Sequence, residues 1–204
     1  MTEIQSEDEV QAADEPVLSR AEVAWAAGLS AAVFIGLWFV FPALASAFSA
    51  LLFFAMALIT LADLRHFIIP DVLSLPAIPA GLVANAMVIQ GGHWQDGLLD
   101  GLTGAVAGAG AFYLMRWFYQ RFRGGEGLGL GDVKLAGVAG AWLGAAALAP
   151  ACLAATLAAL AGVLIHALVR GTEGITAKMH IPFGSFIAPT IFAFWILRMM
   201  TIVP

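Results

Sequence analysis

The chain has 204 residues, of which 61% are hydrophobic and 11% charged, and its mean hydropathy is +0.92. A soluble domain carries about 25% charged residues, so these side chains cannot cover a water-facing surface, and lipid is the expected solvent for most of the chain. Much of the acid behind the formal net charge of -5 sits in one head, Glu3, Glu7, Asp8, Glu9, Asp14 and Glu15; the remainder is close to neutral, which excludes a nucleic-acid footprint.

That head has no basic n-region, so it does not read as a signal peptide. Residues 1–19 read instead as a disordered acidic cytoplasmic tail, and 20–204 as one membrane-embedded domain. A helix needs about 20 apolar residues to cross the hydrocarbon core. Runs of that kind predict an all-α, polytopic bundle of about seven transmembrane helices, near 23–41, 43–62, 72–90, 98–118, 132–148, 150–169 and 182–201. Pro42 and Pro150 mark two tight junctions, because proline lacks an N–H and restricts the residue before it. Pro76, Pro79 and Pro189 fall inside spans, where membrane helices tolerate them. Pro182 suits the first turn of the last helix. The fifth span is short.

With seven spans, Arg20, Arg65, Arg116, Arg121, Arg123, Lys134, Arg170 and Lys178 fall on one side. The opposite loops, near Pro42, Gly91–Gly97 and Pro150, hold no Lys or Arg. This positive-inside bias predicts a cytoplasmic N-terminus. Arg198 alone lies toward the far side, where a long side chain snorkels to the interface. Glycines crowd spans four to six, Gly104-x-x-x-Gly108 among them, and predict close helix packing rather than a ligand role.

Two acids stand out, because ionisable groups at membrane depth are expensive. Asp63 closes span two and Asp132 opens span five; the topology puts both at the cytoplasmic edge. Two carboxylates sharing a site do not ionise together readily, so the pair holds a proton between them. One member can then take a proton from water while the other polarises a peptide carbonyl or protonates the leaving amine. Such hydrolysis needs no metal, cofactor, serine or cysteine; the single Cys152 forms no intrachain disulfide, and no zinc-type spacing exists. Each acid also has a plain structural reading. Asp63 could pair with Arg65, Asp71 could cap span three, and Asp132 suits a helix N-terminus. His166 and Asn85 read as packing contacts, His66 and His180 as interfacial groups, and Asp100 as a helix-start carboxylate.

Glu126-Gly127-Leu128-Gly129-Leu130-Gly131-Asp132-Val133-Lys134 and Asp63 through Ile69-Pro70-Asp71 together resemble the type IV prepilin peptidases, a family of GxGD membrane aspartyl proteases. Ile181-Pro182-Phe183-Gly184-Ser185 is a third stretch like the family's. The resemblance covers roughly residues 50–200. It implies that Asp63 and Asp132 are the catalytic pair, with Pro70, Asp71, Gly129, Gly131, Lys134, Pro182 and Gly184 as supporting motif residues. Glu126 and Lys134 belong to the motif without an assignable role. It further implies a multi-pass protein of the bacterial cytoplasmic (inner) membrane. Its substrates would be prepilins of type IV pili or pseudopilins of type II secretion, cut after a glycine. No cofactor or metal is implied. Larger family members carry a domain between their first two spans, linked to N-methylation. Pro42 follows span one too closely for such a domain, so methyltransferase activity is expected to be absent. The competing readings are a presenilin-like intramembrane protease, a proton- or cation-coupled transporter using the same two aspartates, and a noncatalytic assembly factor.

Overall fold

The computed structural model describes residues 17–89, 93–123, 127–170 and 182–202. The acidic head, residues 1–16, lies outside the described residues, as do Glu126, Lys178, His180 and Ile181. Among the described residues there are six α-helices: α1 Arg20–Trp38, α2 Ala43–His66, α3 Asp71–Ala84, α4 Trp94–Arg123, α5 Leu130–Arg170 and α6 Gly184–Ile202. A π-helical turn, Asn85–Ile89, extends α3. All six are long and apolar enough to cross a membrane. The protein is therefore a polytopic helical bundle.

Local chemistry sets the helix ends. Ser19 and Glu22 form a reciprocal capping box that starts α1. Pro42 precedes the first turn of α2, as expected for a residue with no N–H to leave unpaired. Phe67 ends α2 in the left-handed conformation, φ 54°, and its N–H donates to the Asp63 carbonyl. Pro182 lies two residues before α6 rather than in its first turn; its carbonyl accepts from the Ser185 N–H and hydroxyl.

α5 departs most from the expected spans. Its 41 residues would form a straight rod about 60 Å long at 1.5 Å per residue, twice the roughly 30 Å hydrocarbon core. The helix breaks at Gly144, with φ 72° and ψ 175°. Contacts on either side show that the chain reverses there. Gly108 faces Ala136 on one arm and Leu148 on the other, while Asp100 reaches Gly144 itself. Gly162, late in the second arm, meets Phe186 at the start of α6. The two arms, 130–143 and 145–170, thus run antiparallel, which gives seven helical segments among the described residues.

The expected boundary at Pro150 is corrected to Gly144, and Pro150 sits inside the second arm. Proline was the visible helix breaker. The real reversal uses a backbone conformation that is essentially glycine-only, and it is capped from another helix. Asp100 Oδ1 accepts from the Ala145 N–H at 3.1 Å. Asp100 Oδ2 accepts from Arg198 Nη2 at 2.6 Å, and Arg198 Nη1 donates to the Trp142 carbonyl at 3.3 Å. Arg198, expected to snorkel, is instead a partner in this ion pair.

Two seams hold the bundle. Along α4 and the first arm of α5 the backbones touch. A Cβ on Gly140 would run into the Gly104 carbonyl, and one on Gly108 into the Ala136 carbonyl. The glycine-rich spans do pack closely, as their composition predicts. Deeper in, Trp142 and Trp195 meet edge to face at 5.1 Å. Trp142 Nε1 donates to the Ala77 carbonyl and Trp195 Nε1 to Ser49 Oγ, each at 2.8 Å. These bonds tie α2, α3, α5 and α6 together where an unpaired indole N–H would be costly. Among the described residues α1 packs chiefly on α2, the Ser30 hydroxyl donating to the Ala50 carbonyl and Glu22 pairing with Arg65.

Gly144→Ala should destabilise the fold by about 1–3 kcal/mol, because the new methyl also meets the Asp100 carboxylate. Gly110→Ala, whose methyl would enter open space, should not. Thermal unfolding midpoints in detergent distinguish the two.

Candidate active site

Four helix ends converge at one end of the bundle: the last turn of α2 and the first turns of α3, α5 and α6. The ends of α2, α3 and α5 line an open cavity of about 270 Å³, bordered by Asp63, Phe67, Ile69, Asp71, Gly131, Asp132 and Lys134 among others, and the start of α6 backs Asp63. Asp63 and Asp132 therefore share one cavity, contributed from two different helices. Neither lies mid-span: Asp63 is three residues from the end of α2 and Asp132 is the third residue of α5.

Asp63 is only 5% exposed. Its Oδ2 accepts from the Ser185 backbone N–H at 2.6 Å. The first N–H groups of a helix have no partner within it, and the N-terminal end carries partial positive charge. Asp63 thus caps α6 from a neighbouring helix. A methyl on Gly184 would lie 3.0 Å from the Asp63 carboxyl carbon, so the glycine permits the approach. Arg65 pairs with Glu22, not with Asp63.

Asp132, in the first turn of its own helix, turns its carboxylate back toward Gly129: a Cβ there would lie 3.2 Å from Asp132 Oδ2. Both aspartates line the cavity. The segment carrying the glycines is fixed from α4. Arg116 Nη1 donates to the Leu128 carbonyl, and the Tyr119 ring lies where a Gly127 side chain would stand.

Asp71 is the first residue of α3, with Pro70 as its cap, so Asp71 is not the helix cap itself. Its Oδ1 lies 2.5 Å from Lys134 Nζ. This ion pair joins the starts of α3 and α5 at the cavity mouth and gives Lys134 a contact the sequence did not supply. Gly131 packs on Ile69, and Pro182 shapes the turn that presents Ser185. Among the expected site residues, Asp63, Asp71, Gly129, Gly131, Asp132 and Lys134 line the cavity; Gly184 borders Asp63, and Pro70 and Pro182 shape adjacent turns.

A family model of type IV leader peptidases matches residues 50–197. The chain belongs to the type IV leader peptidase family. The leader peptidase HopD of Escherichia coli is 35% identical over 131 residues, covering 64% of this chain and 80% of that protein. The prepilin leader peptidase/N-methyltransferase of Pseudomonas aeruginosa is 33% identical over 138 residues, covering 68% of this chain and 45% of its own length. That of Burkholderia pseudomallei strain 1026b is 36% identical over 130 residues, covering 62% and 38%. The chain thus spans less than half the length of these two bifunctional relatives. No solved structure matches the chain. The part that the leader peptidase family model covers includes both cavity aspartates, the Gly144 reversal and most of α6, and begins after α1.

Three features of this candidate site were not read from the sequence: the Ser185 N–H, the Asp71–Lys134 pair and the position of Ile69. Ser185 acts through its backbone, which no side-chain pattern announces. Ile69 belongs to the Ile69-Pro70-Asp71 element, which marks it in the sequence without saying what it touches.

Lys134→Met should cost no more than about 1 kcal/mol of stability, since exposed ion pairs contribute little. Gly131→Ala should cost about 1–3 kcal/mol by overpacking against Ile69. Unfolding midpoints of the two variants, measured side by side, check the ranking.

Proposed function

We propose that the chain is a membrane aspartyl endopeptidase that removes the short leader of type IV prepilins or type II secretion pseudopilins. It cuts after a glycine at the cytoplasmic face of the bacterial inner membrane. Asp63 and Asp132 form its catalytic pair. The single observation that carries this reading is their common cavity, in which Asp63 is anchored by the Ser185 backbone N–H.

The mechanism follows from that arrangement. The two carboxylates hold one proton between them. The ionised member takes a proton from a water molecule as the water attacks the scissile carbonyl, and the protonated member gives its proton to the carbonyl oxygen. As the tetrahedral intermediate collapses, the first member passes the water's proton to the leaving amine and the second recovers its proton from the hydroxyl. Anchoring matters because a base that wanders loses its alignment with the attacking water. The helix N-terminus behind Asp63 supplies fixed positive character without a mobile cation.

The basic residues at the helix ends around the cavity support a cytoplasmic setting by the positive-inside bias. The short leaders of such substrates stay on that side and the hydrophobic helix follows the cut glycine, so a site at the membrane edge suits the junction. A carrier would need its acids reachable from both faces, and both lie at one end of the bundle. Phe39 to Pro42 alone join α1 to α2, leaving no inserted domain there. The proposed activity is therefore peptidase without N-methylation.

Purified protein in detergent should convert a prepilin to mature pilin with product masses that report cleavage after the leader glycine. Asp63→Asn and Asp132→Asn should each slow the reaction by at least about 100-fold with unfolding midpoints unchanged. A folded wild type that leaves several prepilins and pseudopilins intact would sink the proposal, as would full activity in Asp63→Asn.

A further inference from the structure

Ile69 sits in the short link between α2 and α3, which the account so far leaves without a role. The left-handed Phe67 turns the chain at the end of α2. Pro70 restricts Ile69 to extended backbone. The half-buried side chain then enters the gap between the starts of α5 and α6. A Cβ on Gly131 would lie 2.9 Å from Ile69 Cβ and 3.1 Å from its Cδ1. A Cβ on Gly184 would lie 2.9 Å from Ile69 Cδ1. Both contacts are closer than any side chain on the partner would allow.

The identity of those partners gives the contact its meaning. Gly131 immediately precedes Asp132. Gly184 immediately precedes Ser185, whose N–H holds Asp63. One side chain therefore bears on the two backbones that carry the settings of the two carboxylates. Isoleucine suits that place. It is β-branched and stiff at χ1, and it offers no polar atom to compete for the N–H that holds Asp63.

We propose that Ile69 is a positioning residue, a rigid spacer that sets the separation of Asp63 and Asp132. The inference rests on the reading of those two aspartates as the catalytic pair. Shortening the spacer lets the starts of α5 and α6 settle toward the link and moves one carboxylate against the other. Displacements on the order of 1 Å cost up to about 100-fold in rate. The loss belongs in kcat, since Ile69 holds the reacting groups rather than the substrate.

The test uses two readouts on Ile69→Val, which removes Cδ1, and Ile69→Ala, which removes three carbons. In prepilin cleavage, kcat should fall modestly for valine and by about tenfold or more for alanine, while KM stays nearly constant. Separately, Asp63→Cys and Asp132→Cys are combined in a Cys152→Ser background. The rate of their oxidative cross-linking should change at least about threefold on adding Ile69→Ala, because disulfide formation tolerates little displacement. Wild-type kcat in Ile69→Ala overturns the proposal. So does a lower kcat with an unchanged cross-linking rate. If the wild type cleaves no prepilin, the functional reading fails, yet cross-linking still decides whether Ile69 is the spacer. If the alanine variant does not fold, the valine variant, one methyl smaller than wild type, is judged on both readouts.

Discussion

The hydrogen bond from the Ser185 N–H to the Asp63 carboxylate is the contact on which the cavity depends. The first N–H groups of a helix have no partner within it, and Ser185 is buried from water. Besides the Pro182 carbonyl, its N–H finds a partner on α2, at 2.6 Å. That bond joins α2 to α6 at this end of the bundle. It also leaves the carboxylate buried without an alkyl wall on every side, because Gly184 has no side chain to interpose. Asp63 is therefore a structural cap and, in the proposed function, one member of the chemical pair. The roles are compatible because a carboxylate has two oxygens and several lone pairs.

The far end of the bundle solves a related problem with the opposite intent. The arms of α5 reverse at Gly144, which exposes the N–H of Ala145 and the carbonyl of Trp142. Asp100 and Arg198 satisfy both and pair with each other. Here the carboxylate is fully engaged, with a guanidinium on one oxygen and an N–H on the other. It holds geometry and has little left for chemistry. At the near end, the cations Lys134 and Arg65 are drawn to Asp71 and Glu22, away from the two cavity aspartates. Partner choice thus separates acids that brace the fold from acids left to face a substrate.

The sequence disclosed the helical membrane class through composition alone, and the glycine seam between α4 and α5 through the density of small residues. Asp63 and Asp132 were legible because charge at membrane depth is rare enough to be conspicuous. The reversal at Gly144 was not. Its signal was one glycine among many, while Pro150 offered a more obvious but mistaken boundary. The pairing of Asp100 with Arg198 joins residues far apart in the chain, and nothing local marks it. Lys134 carried no interpretable pattern because its partner Asp71 lies on another helix. The Ser185 N–H and the Ile69 contacts depend on backbone approach, which side-chain patterns do not encode.

If Asp63 and Asp132 work as one unit, their substitutions cannot be independent. The decisive measurement is single-turnover prepilin cleavage by Asp63→Asn, Asp132→Asn and the double variant. The account predicts that the double variant is no slower than the worse single variant, because either change already destroys the shared-proton pair. Losses that multiply would contradict it, and would mean that the two carboxylates act separately.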